Sequence, residues 1–425
     1  MKLGLYLGAI TAANMLCWFL FQGYVFASGV GPASDAFFAS LALPQLIALI
    51  ANSSLMHVLV PFFASEAPPV IQKNAYSLIY LLTGVLAATA ALLYWSASWW
   101  VPLVVIGFSD EAKLLTVVLS RIQLIGMIFA GLGSVLLSAC HAQHQFVRAE
   151  SAPLIATAIA FAALLIVFPR YGVLGAAWLT TARALLMVLL LLPALGLPVR
   201  ADMAAVGRVW IKLKVLLLSA SYYKSDQVFD RFLSSMAAAG SLSVFYFAQQ
   251  IYMAANAVIG KAIAAPIVPR LAGLAKTGDW HAFHALYRKR LLLISLLALG
   301  CWLVLLVAGG PLLQLLGQVK NIAPSQLAQM HGLLVILGGI MIGGLAGLIL
   351  VETCFAMGNA RTPALVLAVA FTLGLLAKAG GFMTFGMSGL AAGTSLYFLA
   401  YPAVLYFLLE RDLTRLRALR ENGAV

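Results

Sequence analysis

Apolar runs of about twenty residues, separated by short polar segments, follow one another along the whole chain. A hydrocarbon core of about 30 Å requires such lengths of a helix, and backbone groups in lipid must be satisfied internally. The alternating segments of about ten residues that are typical of a transmembrane β-barrel do not occur. The pattern predicts an all-α polytopic membrane protein with about twelve transmembrane helices, at 3–26, 36–62, 76–100, 114–140, 151–168, 174–197, 212–236, 241–268, 291–315, 329–357, 362–382 and 387–409.

The basic residues of the polar segments lie mostly on one side of these helices. With the N-terminus inside, only Lys113, Arg170 and Lys320 fall in outer segments. Because cytoplasmic loops are enriched in Lys and Arg, we expect both termini in the cytoplasm and the chain in a bacterial inner membrane.

The two longest cytoplasmic connections are 198–211 and 269–290. The first separates two six-helix lobes, predicted as domains 1–200 and 201–425. In the second, Asp279 is placed to cap a helix. The aromatic residues Trp280, Phe283 and Tyr287 then recur at helical spacing before the basic cluster Arg288-Lys289-Arg290. This second segment is either a helix lying on an anionic leaflet or an ordinary amphipathic connector.

The two halves repeat each other. At an offset of 208, Phe37-Phe38 corresponds to Phe245-Tyr246 and Val60-Pro61 to Val268-Pro269. At an offset of 214, Cys140 corresponds to Cys354, and the segment 171–181 corresponds to 385–395 with its glycines and hydroxyl residues in register. Because each half has six spans, both enter the membrane in the same direction. Parallel repeats of this kind place a substrate site between the lobes, with alternating access by rocking.

Composition narrows the function further. Of the 425 residues 63% are hydrophobic and 9% charged, which excludes a soluble domain, and the net charge of +13 is explained by cytoplasmic loops without nucleic acid. The four cysteines have neither metal-ligand spacing nor a disulfide pattern. Walker A, zincin and nucleophile-elbow motifs are missing. We therefore expect a protein that is not an enzyme and uses no metal or cofactor.

Charged residues inside the predicted helices are the candidate functional groups, because intramembrane charge is costly and usually faces a cavity or a partner. The bases there are Arg121, Arg183, Lys224, Arg231, Lys261 and Lys378, and the acids are Asp226, Asp230 and Glu352. On helix 7, a wheel places Asp226, Gln227, Asp230 and Arg231 on one polar side.

Two interpretations of these charges remain. They could pair with each other only to hold the helices together. Alternatively, because bases outnumber acids, they could line a central cavity for an anion such as a phosphate or pyrophosphate. The predicted cavity residues are Arg121, Arg183, Lys224, Arg231 and Lys261, with Gln22, Gln227, Gln249 and Gln250 as polar side chains.

Several segments resemble the MurJ/MviN family, which comprises lipid II flippases of the multidrug/oligosaccharidyl-lipid/polysaccharide (MOP) exporter superfamily. The resemblance extends over nearly the whole chain. Its first part is Gly29-Val30-Gly31-Pro32-Ala33-Ser34-Asp35-Ala36-Phe37-Phe38, followed by Leu43-Pro44-Gln45-Leu46 and Val60-Pro61. The family's helix 7–8 region resembles Asp230-Arg231, Ala239-Gly240-Ser241-Leu242-Ser243 and Ala248. The end of its helix 8 is similar to Ile267-Val268-Pro269-Arg270-Leu271. The turn 355–363, with Arg361 and Pro363, is similar to its helix 10–11 turn.

The resemblance implies an inward-facing cavity that takes up an undecaprenyl-pyrophosphate-linked sugar and releases it outside. This chain departs from the family where Phe19-Leu20-Phe21-Gln22 replaces an Arg-Asp pair and Gln249-Gln250 replaces Asp-Arg. The family's two extra C-terminal helices are also missing. The cargo is therefore either lipid II or a lipid-linked polysaccharide repeat unit.

Related exporters bind a cation between helices 7, 11 and 12, where this chain has Asp226, Asp230, Lys378, Thr394 and Ser395. We expect Lys378 to pair with Asp226 or Asp230 in place of that ion, unless it extends to the outer surface.

Three classes of function are compatible with these patterns. A flippase for an undecaprenyl-linked saccharide is favoured, with membrane lipids around it and glycosyltransferases or polymerases as possible partners. A MATE-type cation-coupled exporter of small molecules shares the architecture but is expected to have fewer cavity cations. A membrane scaffold without transport activity does not explain the intramembrane charges.

Overall fold

The computed structural model describes residues 2–200, 202–264, 267–320, 322–359 and 361–421, and all regular secondary structure in these ranges is helical. The helices of the N-terminal part are α1 (Lys2–Ala27), α2 (Pro32–Ser40), α3 (Ala42–Ala64), α4 (Pro68–Trp95), α5 (Ala97–Val104), α6 (Asp110–Ala142), α7 (Phe146–Leu191), α8 (Met203–Lys224) and α9 (Asp226–Ser235). Those of the C-terminal part are α10 (Ser241–Ala264), α11 (Val268–Thr277), α12 (Trp280–Lys320), α13 (Pro324–Ile336), α14 (Gly338–Ala356) and α15 (Arg361–Glu421).

Nine helical segments of the described chain are long and apolar enough to cross a membrane. Two of them, Phe146–Ala194 and Arg361–Arg415, contain 49 and 55 residues. A straight helix of that length would exceed about 70 Å, more than twice the hydrocarbon core. Each is interrupted by a glycine with non-helical backbone angles, Gly172 in α7 and Gly386 in α15, so each contains two spans. The count is thus close to the predicted twelve.

Several predicted helices have different ends in the structure. The predicted helix 212–236 is α8 followed by α9 with a break at Ser225, and α8 begins within the segment expected to be a loop. The predicted helices 36–62 and 329–357 are each divided as well, at Leu41 and Leu337. Hydropathy locates the part of a helix that lies in lipid, whereas a helix can continue into water with polar residues.

The contacts divide the chain into two units, Met1–Ser243 (unit 1) and Val244–Val425 (unit 2). In unit 1, α6 packs against α3, α4 and α7, and α8 packs against α3 and α4. The core of this unit contains fully buried side chains such as Leu59, Phe63 and Val135. Since α8 and α9 fall in unit 1, this division lies later than the repeat-based boundary at 200/201, which stays a prediction.

In unit 2, the glycine-rich helix α14 packs closely against α15. A Cβ atom at Gly339 would meet the backbone of Ser395, and one at Gly343 would run into the carbonyl group of Phe398. Small residues at this spacing let two helix backbones approach within a membrane, where van der Waals packing drives helix association. This close contact fixes the position of α15 against α14 in unit 2.

The internal repeat is visible in the local structure of each unit. The turn after α6 has a positive φ at His144, and the turn after α14 has one at Gly358. The carbonyl oxygens of the corresponding Cys140 and Cys354 each accept a hydrogen bond from the N–H group five residues later, at 2.8 and 2.9 Å. Gly172 and Gly386 share backbone angles of φ 54°, ψ −140° and φ 58°, ψ −136°. All of these pairs have the offset of 214.

The segment 269–290 is not a separate surface helix. Gly278 ends α11 with a φ of 67°, the carboxylate of Asp279 accepts the N–H of Ala282 at 3.0 Å, and α12 then runs on without a break. The aromatic side chains of Phe283 and Tyr287 are fully buried in protein. The hypothesis of a helix lying on the leaflet is therefore wrong, because its apolar face is covered by other helices, and the amphipathic-connector interpretation is favoured.

A carboxylate on α15 fixes the start of α12. Glu410 lies 3.0 Å from the imidazole of His284, 3.0 Å from Nε of Arg288, and within hydrogen-bond distance of the Tyr287 hydroxyl. Arg288 also donates to the Tyr406 hydroxyl at 3.0 Å. His284, Tyr287 and Arg288 thus bind to α15 within unit 2.

Candidate functional site

A polar cavity of about 380 Å³ lies inside unit 1. It is lined by α1, the α2–α3 junction, α3, α6 and α7, and it is open on one side. Its polar lining residues are Asn14, Gln45, Asn52, Gln123, Ser134, Thr180 and Arg183, and its other lining residues include Trp18, Pro44, Met127, Pro153 and Met187.

Arg183 on α7 is the one charged residue among those lining the cavity. Its guanidinium carbon lies 4.3 Å from the centre of the Trp18 indole ring, a cation–π contact that orients the side chain. The Nε atom of Arg183 is buried without a hydrogen-bond partner among the described residues. A cation that lies in a low-dielectric site and has an unsatisfied N–H group attracts an anion.

The neutral side chains of the cavity differ in how they are satisfied. Thr180 and Ser134 donate to carbonyl groups of their own helices, and Thr157 donates to the Asn14 side chain at 2.8 Å. Gln123 on α6 is only 4% exposed, and its Nε2 has no partner among the described residues. Gln123 and Arg183 therefore retain N–H groups for a ligand.

A polar contact joins α1 to the first turns of α7 close to the cavity. Thr11 donates to the Glu150 carboxylate at 2.6 Å, one turn of α1 before Asn14. Glu150 was expected in a cytoplasmic loop, but α7 already begins at Phe146 and includes it.

Arg231 on α9 is buried and bonded within unit 1. It donates to the carbonyl oxygen of Phe38 at 3.0 Å and to the side chain of Gln45 at 2.9 Å. Its third contact, at 3.3 Å, is with the carbonyl oxygen of Gln227. Since Gln45 lines the cavity, Arg231 holds one lining residue in place while its own charge is directed to the α2–α3 junction.

Asp35 joins α2 to the turn before α10. Its carboxylate is 2% exposed and accepts the N–H groups of Gly240 at 2.5 Å and Ser243 at 2.7 Å. The neighbouring Phe37 and Phe38 are fully buried. These residues of the family motif therefore pack and connect helices, and Pro44 of the same motif lines the cavity.

The remaining predicted site residues lie elsewhere. Arg121 donates to the carbonyl oxygen of Tyr94 at 3.2 Å, lies over the Tyr94 ring at 5.0 Å, and does not line the cavity. Lys224 ends α8 and is half-buried, and Gln22 is 1% exposed. Pro61 lies inside α3, Arg361 and Pro363 open α15, Gln249 and Gln250 lie on α10, and Glu352 lies on α14. The side chain of Lys261 is outside the described residues.

Lys378 is buried in unit 2, with 1% of its surface exposed. The alternative prediction, that its side chain extends to the outer surface, is therefore wrong. Thr394, also fully buried, donates to the carbonyl oxygen of Leu390. Pairing of Lys378 with Asp226 or Asp230 stays a prediction, as does a cavity shared by the two lobes.

Unit 2 contains a cavity of about 360 Å³ at the corresponding place. Its lining residues Asn256, Ala257 and Gly260 correspond to Ala48, Leu49 and Asn52 at the offset of 208. Gly344 and Leu348 correspond to Ala130 and Ser134 at the offset of 214. The cavity position is repeated, but the charge is not, because Tyr397 takes the place of Arg183.

Three lining residues were not predicted as site residues, namely Asn14, Trp18 and Gln123. Neutral polar and aromatic residues are common in apolar runs and give no signal of their own. The repeat carries a signal that could have found Gln123, which corresponds to Leu337 in the second half. Among the residues that the structure describes, no group of three His, Cys, Asp or Glu side chains is placed to hold a metal.

Comparisons with known proteins agree with this architecture. A profile described as "Lipid II flippase MurJ" matches residues 25–421. A probable lipid II flippase MurJ of Rhizobium meliloti is 23% identical over 419 residues, covering 90% of this chain and 76% of the relative. A lipid II flippase MurJ of Burkholderia cenocepacia is 25% identical over 306 residues, and the match spans 67% of this chain and 59% of that relative.

Solved structures show the same fold. A lipid II flippase MurJ in an inward closed conformation superposes with a TM-score of 0.83 at 15% identity, covering 97% of this chain and 90% of that one. An inward-facing multidrug-resistance MATE transporter of the MOP superfamily superposes with a TM-score of 0.80 at 15% identity, covering 95% and 96%. With the profile match over nearly its whole length, this chain belongs to the MurJ lipid II flippase family.

Proposed function

We propose that this protein is a secondary-active flippase that moves an undecaprenyl-(pyro)phosphate-linked saccharide from the cytoplasmic to the periplasmic leaflet by alternating access. The observation that carries the proposal is the sign of the cavity charge: Arg183, a cation, is the one charged residue lining the polar cavity of unit 1. Such a cavity suits an anionic headgroup. Family membership, with relatives named as lipid II flippases, identifies the class of lipid.

The cargo is lipid II or a polysaccharide repeat unit, both of which carry the same anionic link between lipid and sugar. We place the protein in a bacterial inner membrane with both termini in the cytoplasm, next to membrane lipids and the enzymes that assemble or polymerise the saccharide. Lys378 would replace a coupling ion, so that transport is driven without sodium.

The second candidate is a MATE-type exporter of small molecules, which the fold similarity to a multidrug transporter supports. A cavity for cationic drugs would need an acidic lining group. The cavity of unit 1 has none among its lining residues, so the flippase is favoured.

The test is transport by the purified protein in proteoliposomes. Fluorescent lipid II and a fluorescent undecaprenyl-pyrophosphate-linked repeat unit would be placed in the leaflet that corresponds to the cytoplasm. Their appearance in the other leaflet would be followed by a membrane-impermeant quencher, with protein-free liposomes as the control. The proposal expects transfer of at least one of the two lipids. Transfer of neither, together with efflux of a cationic dye such as ethidium, would identify a small-molecule exporter.

A further inference from the structure

We infer that Arg183 and Gln123 together form a subsite inside unit 1 that binds a phosphate group of the lipid-linked cargo. The inference rests on the proposed function and specifies where the anionic group is held. It assigns the binding role to one unit of the repeat and includes Gln123, a neutral residue.

Both side chains keep N–H groups that nothing in the described structure satisfies. Nε of Arg183 and Nε2 of Gln123 are buried without hydrogen-bond partners among the described residues, and both residues line the same cavity. A buried donor without an acceptor costs about 1–3 kcal/mol, and more when it is charged. A ligand rich in acceptor oxygens would remove this cost, and a phosphate group has several.

The packing of α6 on α7 brings both residues into the lining of one cavity. The hydroxyl of Thr181 on α7 donates to the carbonyl oxygen of Ile122 on α6 at 3.0 Å. Arg183 follows Thr181 by two residues, and Gln123 follows Ile122 directly. A Cβ atom at Gly126 would lie 3.2 Å from Cα of Thr181, so the two helices are in close contact. The packing of α6 on α7 thus fixes the backbone positions from which both side chains reach the cavity.

Unit 2 of the repeat contains the same helix contact without the two donors. Ser395 donates to the carbonyl oxygen of Ile336 at 2.5 Å, which is the counterpart of the Thr181–Ile122 bond. At the positions of Arg183 and Gln123 this unit has Tyr397 and Leu337. The fold therefore forms the contact with an aromatic and an aliphatic residue, and it does not require a guanidinium and an amide there. Their presence in unit 1 alone is explained by a ligand.

The chemistry of the cavity lining also favours an anionic ligand. None of the cavity's lining residues is acidic, so nothing in it neutralises Arg183. The Arg183 guanidinium lies over the face of the Trp18 ring. The N–H groups at the edge of the guanidinium therefore stay available to a planar or tetrahedral anion. A hydroxyl-rich sugar without phosphate would have no counter-charge to offer, whereas a phosphate or pyrophosphate would.

The experiment exchanges the residues of unit 1 for those of unit 2. The double variant Arg183→Tyr with Gln123→Leu should fold, because these residues pack at the corresponding position of the same chain. The matched control is Arg121→Gln, which removes another intramembrane cation outside the cavity. Thermal unfolding and size-exclusion profiles in detergent would check that all proteins are folded.

Binding of undecaprenyl pyrophosphate would be measured in detergent micelles, with undecaprenol and phosphatidylglycerol as the lipid comparisons and sodium pyrophosphate as the free anion. We expect undecaprenyl pyrophosphate to bind the double variant about 10- to 100-fold more weakly than wild type, from the loss of charge-assisted hydrogen bonds. The Arg121→Gln protein should bind it like wild type, and undecaprenol should not respond to either change.

Equal binding of undecaprenyl pyrophosphate by wild type and the folded double variant would overturn the subsite while leaving the flippase proposal intact. An equal loss of phosphatidylglycerol binding would show a general lipid-headgroup site and overturn the assignment to the cargo. Binding of sodium pyrophosphate alone, without the lipid-linked form, would do the same. If wild-type protein binds no undecaprenyl pyrophosphate and flips no lipid, the proposed function itself fails, and the subsite fails with it.

Discussion

Among single residues, the buried carboxylate of Asp35 has a clear structural role. It accepts two backbone N–H groups of the segment that precedes and begins α10, and Ser34 adds a hydroxyl contact of 3.1 Å to Ser243. Hydrogen bonds to a charged acceptor are stronger than neutral ones. This contact explains physically why an acidic residue stands in the Asp-Ala-Phe-Phe motif without lining the cavity.

We predict that Asp35→Asn lowers the stability of the folded protein. The amide removes the charge and directs an N–H group at one of the two backbone donors, so the expected loss is about 1.5–3 kcal/mol. Thermal unfolding in detergent, followed by tryptophan fluorescence, would measure it. Asp110→Asn is the control, because the Asp110 side chain is 98% exposed and pairs loosely with Lys113 at 3.7 Å. Equal unfolding temperatures for both variants would contradict the assigned role of Asp35.

Among the helices, α7 and α15 share a reversal at a glycine. Gly172 and Gly386 have nearly the same positive φ and strongly negative ψ, which residues with a Cβ atom rarely adopt. No heavy atom lies within 4 Å of a Cβ built at either position. The need for glycine at these two positions is therefore conformational and does not arise from crowding.

We predict that Gly172→Ala and Gly386→Ala each destabilise the protein by about 1–3 kcal/mol, the usual cost of such a backbone conformation for a residue with a side chain. Gly84→Ala on α4 is the matched control, since its Cβ would also meet nothing within 4 Å but its backbone is helical. That change should leave the unfolding temperature unchanged or raise it. A Gly172→Ala protein as stable as the control would show that the reversal tolerates a side chain.

For the whole molecule, the distribution of basic residues predicts that both termini lie in the cytoplasm. A green fluorescent protein fused to the C-terminus should fluoresce, and alkaline phosphatase fused after Arg170 should be active because this position is expected on the periplasmic side. Alkaline phosphatase fused after Asn359 is the control and should be inactive. The opposite pattern would invert the topology and with it the direction assigned to transport.

The helical membrane class, the repeat and the family could all be predicted without a structure. Each depends on properties that are local along the chain. Apolar length decides whether a segment can span lipid, a fixed offset shows that two halves share one plan, and the motif around Asp35 and Phe37 is contiguous. Helix ends were less well predicted, because polar residues extend helices such as α8 and α12 beyond the apolar segment.

The contacts of each intramembrane cation, in contrast, depend on how the helices pack in the folded protein. Three arginines in similar apolar surroundings have three different roles. Arg121 binds a carbonyl oxygen of α4, Arg183 lines the cavity, and Arg231 joins α9 to α2 and α3. The rotation of each helix, and therefore the direction of a long side chain, is set by packing against several distant segments at once. The same packing places Gln123 and Arg183, 60 residues apart in sequence, in the lining of one cavity, and no local pattern encodes that arrangement.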